Sequence, residues 1–430
     1  MAGLKKELGL FETTIYGVGI ILGAGIYALI GEGAGLTGNS LWLSFAIGAI
    51  LASFTGLSYA ELGTMFPKAA AEYVYVNKSF NIRILAFLIG WLIIFTGMST
   101  VAAVSLGFAG YFNGLFGAPI LFVAITLIII LSYLNYSGIK QSSRVNVLFT
   151  IIEIFGLLMI IVLAFSRFGS IASLDYFRMS NGTSGLLAAA ALVFFAYLGF
   201  EDIANVAEET RNPRRILSKA FILSVAITSV LYVLTSIAAV SLASPEELSS
   251  SSSPLALAVS KTFLGNNAFI VMSFIALFAT ANTVLVAMIV GSRMIYGMAK
   301  DKSLPKTLSL VHKIKGTPYI AILIFMIFSI LFVFVGGISF VAGTASVGAF
   351  LTFALVNASL IVLRFRFPKM QRPFRTPVNI GKFPVFAFLG LCTSVFMLFQ
   401  FKIEVVLFTA AVIVFGLILY RLLNSHKAYL

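Results

Sequence analysis

The apolar segment from Phe11 to Gly35 is long enough to cross a bilayer, and glycines interrupt it: Gly17-Val18-Gly19-Ile20-Ile21-Leu22-Gly23-Ala24-Gly25-Ile26-Tyr27. Gly23 and Gly25 flank one small residue, and a glycine inside a helix costs about 1 kcal/mol relative to alanine. In hydrocarbon, unwound backbone survives only where it is buried in protein or lines a watery cavity. A break at this depth therefore presents backbone N–H and C=O groups to a ligand. The same glycines also suit a small-residue packing face, with Gly19 and Gly23 spaced as in GxxxG. On this segment alone both readings stand.

Composition decides the class. Of 430 residues, 60% are hydrophobic and 10% charged, and the mean hydropathy is +1.06, a combination foreign to a water-soluble globule of this size. Repeated apolar runs of roughly 20 residues indicate an all-α polytopic membrane protein. No cleavable signal peptide is expected, because the apolar stretch after Lys5 and Lys6 is long and lacks a small-residue cleavage pattern. The lone Cys392 excludes an internal disulfide. His312 and His426 lie near loops or the terminus, so no histidine-based metal or catalytic site is expected, and no cofactor.

Hydropathy divides the chain into about twelve spans, at about 11–35, 40–64, 84–112, 118–137, 145–166, 185–207, 216–242, 266–298, 318–336, 340–364, 384–401 and 404–422. Of the 29 Lys and Arg residues, all but Arg167, Arg178, Lys261 and Lys402 then fall on one side. That asymmetry puts both termini in the cytoplasm of a cell membrane and supports an even number of spans. The net charge of +14 thus reports topology and gives no reason to expect a nucleic-acid partner. Residues 71–76 are expected to form a short amphipathic helix, Ser249 to Ser253 a flexible outer segment, and Lys300 to Pro318 a basic loop. None is large enough for a separate soluble domain, so residues 1–430 read as a single transmembrane domain without an enzyme module.

A second interruption mirrors the first. The sixth span reads Phe194-Phe195-Ala196-Tyr197-Leu198-Gly199-Phe200-Glu201-Asp202, a glycine followed closely by two acids. Acids within a span cost roughly 2.5–3.5 kcal/mol each and normally face a cavity or a partner. Asp202 also suits a role as a solvated helix end, whereas Glu201 is nearer the break. Matching interruptions in two halves of a chain point to a secondary transporter built from inverted repeats. With span six as the counterpart of span one, the repeat is five helices, about 10–167 and 185–364, leaving peripheral helices at about 384–422. Half-helix N-termini offer N–H groups to an anion and unwound carbonyls offer acceptors to a cation. A zwitterionic amino acid fits both.

The residues resemble the amino acid–polyamine–organocation (APC) superfamily, most closely amino acid permeases of the cationic amino acid transporter type, over essentially the whole chain. The resemblance rests on Gly23-Ala24-Gly25-Ile26-Tyr27, Tyr59-Ala60-Glu61-Leu62 with Phe66-Pro67, and Asn135-Tyr136-Ser137-Gly138. It continues through Gly199-Phe200-Glu201, Glu208-Glu209 with Asn212-Pro213, and Ser292-Arg293 to Pro305. It implies a LeuT-like 5+5 inverted repeat with discontinuous helices 1 and 6. It also implies a substrate site around Gly23 and Gly199. Amides of Ala24, Gly25 and Ile26 would hold the carboxylate, and carbonyls of Ile21, Phe195, Ala196 and Leu198 the ammonium. Phe195 would be an aromatic gate, Ala287 would leave a roomy side-chain pocket, and Glu201 matches an acid involved in proton coupling in some members. Two positions depart from the pattern. Ala69-Ala70-Ala71-Glu72-Tyr73 stands where a Gly-Gly pair is usual, and Glu153 stands where proton-coupled relatives carry a lysine. A carboxylate there can bind a proton or, with Thr280 or Thr283, ligate a cation such as sodium; the alternative is structural pairing with a nearby donor.

The expected function is secondary active amino acid uptake by alternating access, coupled to protons. The alternatives are a polyamine, organic-cation or amino acid exchanger, and a non-transporting membrane receptor of the same fold. The lipid bilayer is the expected surrounding.

Overall fold

The computed structural model describes residues 8–67, 71–137, 142–165, 174–206 and 210–425. In chain order its helices are α1 (Leu10–Thr37), α2 (Leu41–Met65), α3 (Ala71–Phe80), α4 (Arg83–Phe116), α5 (Ile120–Ser137), α6 (Ser142–Phe165) and α7 (Gly182–Val193). Two 3-10 turns, Phe194–Tyr197 and Phe200–Val206, follow α7. Then come α8 (Pro213–Leu242), α9 (Pro245–Ser250), α10 (Pro254–Ser260), α11 (Gly265–Lys300), α12 (Tyr319–Val333), α13 (Ile338–Arg366), α14 (Val385–Leu398) and α15 (Ile403–Ser425). Every apolar segment expected from hydropathy carries helix. Eight stretches among the described residues are long and apolar enough to cross a membrane, the first of them running through α1 and α2; three shorter apolar helices accompany them. Large apolar side chains such as Phe122, Leu407 and Phe415 are more than half exposed, which suits a lipid-facing surface and not an aqueous one. The chain is a multi-pass membrane protein.

Burial orders the bundle. In the apolar stretch of α1–α2, 78% is buried, against 17% at 403–423, so α1 is central and α15 peripheral. The central helix runs against α6, α7, α8 and α11, while α4 lies along α11 and α13. Local chemistry sets several ends. The Glu12 carboxylate accepts the Gly9 N–H at 2.9 Å at the start of α1, and Pro213 opens α8, where its missing N–H costs nothing.

Three features differ from the sequence expectation. Residues 249–253 close the short helix α9 and link it to α10, a pair whose Leu248, Leu255 and Val259 are buried. Ser244 and Glu247 cap α9 reciprocally. The Leu248 carbonyl sits against Gly31 and the Ser252 carbonyl against Gly110, so closely that a Cβ at either glycine would lie within 2.4 Å of it. These approaches hold a serine-rich segment that composition alone marks as flexible. A small antiparallel ribbon, Asn379–Ile380 with Phe383–Pro384, is the second difference. It turns through Gly381 at φ 62°, and the Gly381 carbonyl accepts from Arg375. The third is α3, which runs on to Phe80 and buries Glu72, Tyr75 and Val76.

At the end of the bundle where α2 and α13 finish, Glu61 is buried with two arginines. Its Oε2 accepts from Arg364 at 2.7 Å and from the Thr376 N–H at 2.8 Å, and Arg372 Nε lies 3.1 Å from Oε1. Nearby, the buried Tyr59 ring meets Tyr75, Phe200, Phe221 and Phe353 at centroid distances of 5.7 to 6.2 Å. Tyr59 thereby ties α2 to α3, α8, α13 and the segment after α7.

Candidate functional site

Two interruptions meet at the centre. In α1 the break falls on Gly23, with φ −7° and ψ −160° inside an otherwise continuous helix. After α7 the chain turns extended at Leu198 and left-handed at Gly199, φ 114°, a conformation only glycine adopts freely. The two segments cross at van der Waals contact. A Cβ on Gly25 would lie 2.3 Å from the Ala196 Cα, and one on Gly199 would lie 3.0 Å from the Ile20 carbonyl. A side chain at Gly25 would force the segments apart whatever else it did.

Each broken strand of backbone has a polar side chain to meet it. The Ala24 N–H donates to Thr283 Oγ1 of α11 at 2.9 Å. The Tyr232 hydroxyl of α8 faces the Ile21 and Ala196 carbonyls at 2.5 and 2.8 Å; its single proton is shared between them. Glu201 accepts the Gly199 N–H at 2.9 Å, closing the second break on itself.

Beside the breaks lies a cavity of about 130 Å³. Of the expected site residues, Leu198, Gly199, Glu201, Thr283 and Ala287 are on its wall, joined by Ile20, Thr96, Gly97 and Gly291. Ile21, Gly23, Ala24, Gly25, Ile26, Phe195 and Ala196 are buried and do not line it. Thr280 is buried as well, and its hydroxyl turns back onto the Ala276 carbonyl of its own helix. Tyr59, Glu72 and Asp202 complete the wall toward the Glu61 end.

Glu153 on α6 is fully buried. Its backbone carbonyl accepts from Tyr27 at 3.0 Å. Asn282, itself on the cavity wall, approaches the carboxyl, yet neither carboxylate oxygen has a hydrogen-bond partner among the described residues. Among those residues no cluster of three or more His, Cys, Asp or Glu could hold a metal ion. Glu72, on the short helix α3, accepts from the Tyr59 hydroxyl at 3.1 Å; burial, with Asp202 nearby, pushes its carboxyl up to about 7.

Tyr232, Tyr59, Glu72 and Asn282 were not anticipated as site residues. The available signal was a polar group in or beside an apolar run, which is weak, because tyrosine and asparagine also occur in membrane helices as packing glue.

The chain matches the family model described as amino acid permease over residues 8–420. It is an amino acid permease. It is 32% identical to the branched-chain amino acid permease BcaP of Bacillus subtilis, covering 99% of this chain and 95% of that one. It is 29% identical to the human cystine/glutamate transporter over 88% of this chain and 77% of the relative. To the methylthioribose transporter of Bacillus subtilis it is 25% identical, over 87% and 84%. The permease is therefore a transporter of the APC superfamily and not an enzyme.

The residues that carry the family resemblance have visible structural duties in the permease. Asn135 donates to the Met288 carbonyl and Ser292 Oγ at 3.3 Å, fastening α5 to α11. Asn212-Pro213 starts α8, and Phe66 packs on Tyr75. Lys5, Lys6, Lys68, Ala69, Ala70, Gly138, Lys140, Arg167, Glu208, Glu209, His426 and Lys427 lie outside the described residues.

Proposed function

We propose that the permease is a secondary active amino acid transporter that couples uptake to protons and works by alternating access. Twelve spans, a LeuT-like inverted repeat and cytoplasmic termini in the cell membrane complete the reading. The observation that carries it is the crossing of the two breaks beside a cavity, with the Ala24 N–H and the Ile21 and Ala196 carbonyls gathered within one site. A zwitterion entering there exchanges its carboxylate for Thr283 at the Ala24 amide, and its ammonium for Tyr232 at the two carbonyls. Two of the three named relatives, the branched-chain amino acid permease and the cystine/glutamate transporter, support this choice of substrate.

The packing suits an inward-facing arrangement. Away from the Glu61 end, α1 is pressed against its neighbours through Gly25 on Ala196, Gly31 on Leu248 and Gly107 on Ala28. Phe195 is buried there with Ala24 and Ala28, as a closed outer gate requires. Toward the Glu61 end, the cavity reaches Glu72 and Asp202.

Glu153 supplies the coupling group. A buried carboxylate without a counter-charge costs several kcal/mol, so it is stable when it takes up a proton or a cation. Asn282 stands between it and the cavity, giving substrate occupancy and proton occupancy a shared neighbour. In proteoliposomes, Glu153→Gln should abolish accumulation driven by a pH gradient while counterflow exchange persists. Unchanged pH-driven uptake by the folded variant would refute the assignment.

A second reading has one observation in its favour. Glu72, Glu201 and Asp202 line one end of the cavity, as a second ammonium of a polyamine would require. Competition of uptake by putrescine rather than by neutral amino acids would establish it.

A further inference from the structure

Two cavities approach each other across α4 and α11. The first is the substrate cavity already described. The second, of about 320 Å³, is an apolar cleft among α4, α11, α12 and α15. The same two helices form a wall of each: α4 turns Gly97 to the substrate cavity and Met98 to the cleft, while α11 turns Gly291 to the cavity and Ile295 to the cleft.

Phe325 of α12 stands between them. Its ring is 1% exposed, and its neighbours Ile324 and Phe328 line the cleft. The ring tip fills notches left by two glycines on the other side. A Cβ on Gly291 would lie 2.0 Å from Cε2 and 2.3 Å from Cζ of Phe325, and one on Gly97 would lie 3.3 Å from Cζ. Such approaches are impossible for any other residue at 291 unless the ring moves, and a ring held between two helices has little room to do so.

We infer that Phe325, supplied by a helix that does not itself line the substrate cavity, sets how large a substrate side chain the permease accepts. The inference rests on the proposed amino acid site. Gly97, Ala287 and Gly291 make that part of the wall from small residues, which by themselves leave a deep recess beside the breaks. Phe325 fills the recess from behind, so the limit on size lies one layer outside the wall. The surrounding Ile93, Val286 and Val290 make the subsite mainly apolar, with Thr96 and Thr100 of α4 beside them. The substrate class is therefore amino acids with aliphatic side chains of moderate size, with large aromatic side chains excluded by the Phe325 ring.

Phe325→Ala removes the partition and joins the recess to the cleft. Measured by competition against uptake in proteoliposomes, phenylalanine and tryptophan should gain at least about ten-fold in apparent affinity, equivalent to about 1.4 kcal/mol, while alanine changes little. Adding Gly291→Ala to that variant puts a methyl group back into the opened recess and should reverse much of the gain. In the parent protein the same methyl collides with the ring, so the two substitutions should be strongly non-additive. Phe325→Leu provides a milder second variant, expected to give a smaller shift in the same direction. If either variant, confirmed folded by thermal unfolding, keeps the parent ratio of large to small substrates, the inference is wrong; strictly additive effects would also overturn it. A parent protein that takes up and binds no amino acid would instead overturn the amino acid reading on which the inference depends.

Discussion

Tyr232 shows how one hydroxyl can hold the centre of this permease together. It lies between the Ile21 and Ala196 carbonyls, the acceptors released where the two helices break. Removing it leaves buried carbonyls without their donor, which costs about 1–3 kcal/mol. Tyr232→Phe should therefore lower the unfolding temperature in detergent, and an undiminished temperature would mean that the carbonyls find another donor. The residue scale is also where sequence reasoning was most uneven. Gly23 and Gly199 are legible as breaks because glycine amid an apolar run is a local anomaly, and Glu153 is legible because an acid there is costly. The Ala24 amide and its Thr283 partner are 259 positions apart, and no local pattern relates them.

Among the elements, α3 most changes its meaning between sequence and structure. Read as a short amphipathic helix, it proves to carry an acid, Glu72, to the cavity wall and onto Tyr59. Burial lifts that carboxyl from its ordinary 4.5 to about 7. The native protein then holds a proton that the unfolded chain has lost between those two values, so the contribution of Glu72 to stability declines as pH rises through that window. Melting temperature should fall between about pH 4.5 and pH 7 more steeply in the parent than in Glu72→Gln. Identical slopes would remove Glu72 from the account. The pair α9 and α10 makes the converse point: a run of serines reads as a loose loop, yet glycines at 31 and 110 let its carbonyls settle against α1 and α4.

On the scale of the whole molecule, Glu61 joins parts of the chain that hydropathy treats as unrelated. It binds the end of α2 to Arg364 at the end of α13 and to Arg372 and Thr376 beyond it. Taking one partner from a buried ion pair leaves the other uncompensated, at about 3–5 kcal/mol. Glu61→Ala should accordingly destabilise the permease more than Tyr232→Phe does, as measured by loss of monodisperse protein on heating. A smaller effect would show that water reaches the two arginines.

Hydropathy, glycine placement and charge distribution were enough to determine a polytopic helical membrane protein, the positions of its long apolar helices and the places where two of them fail. These are local properties: burial in lipid requires apolar runs of a given length, and a glycine weakens the helix wherever it stands. Only the tertiary structure decided what the freed backbone groups meet, which acids reach the cavity, and that a phenylalanine from α12 fills notches in two other helices. Those outcomes depend on which helices touch, and contacts between residues far apart in the chain are set by packing. The break at Gly23 was therefore visible in the sequence, whereas its partners, Thr283, Tyr232 and Ala196, came from the fold.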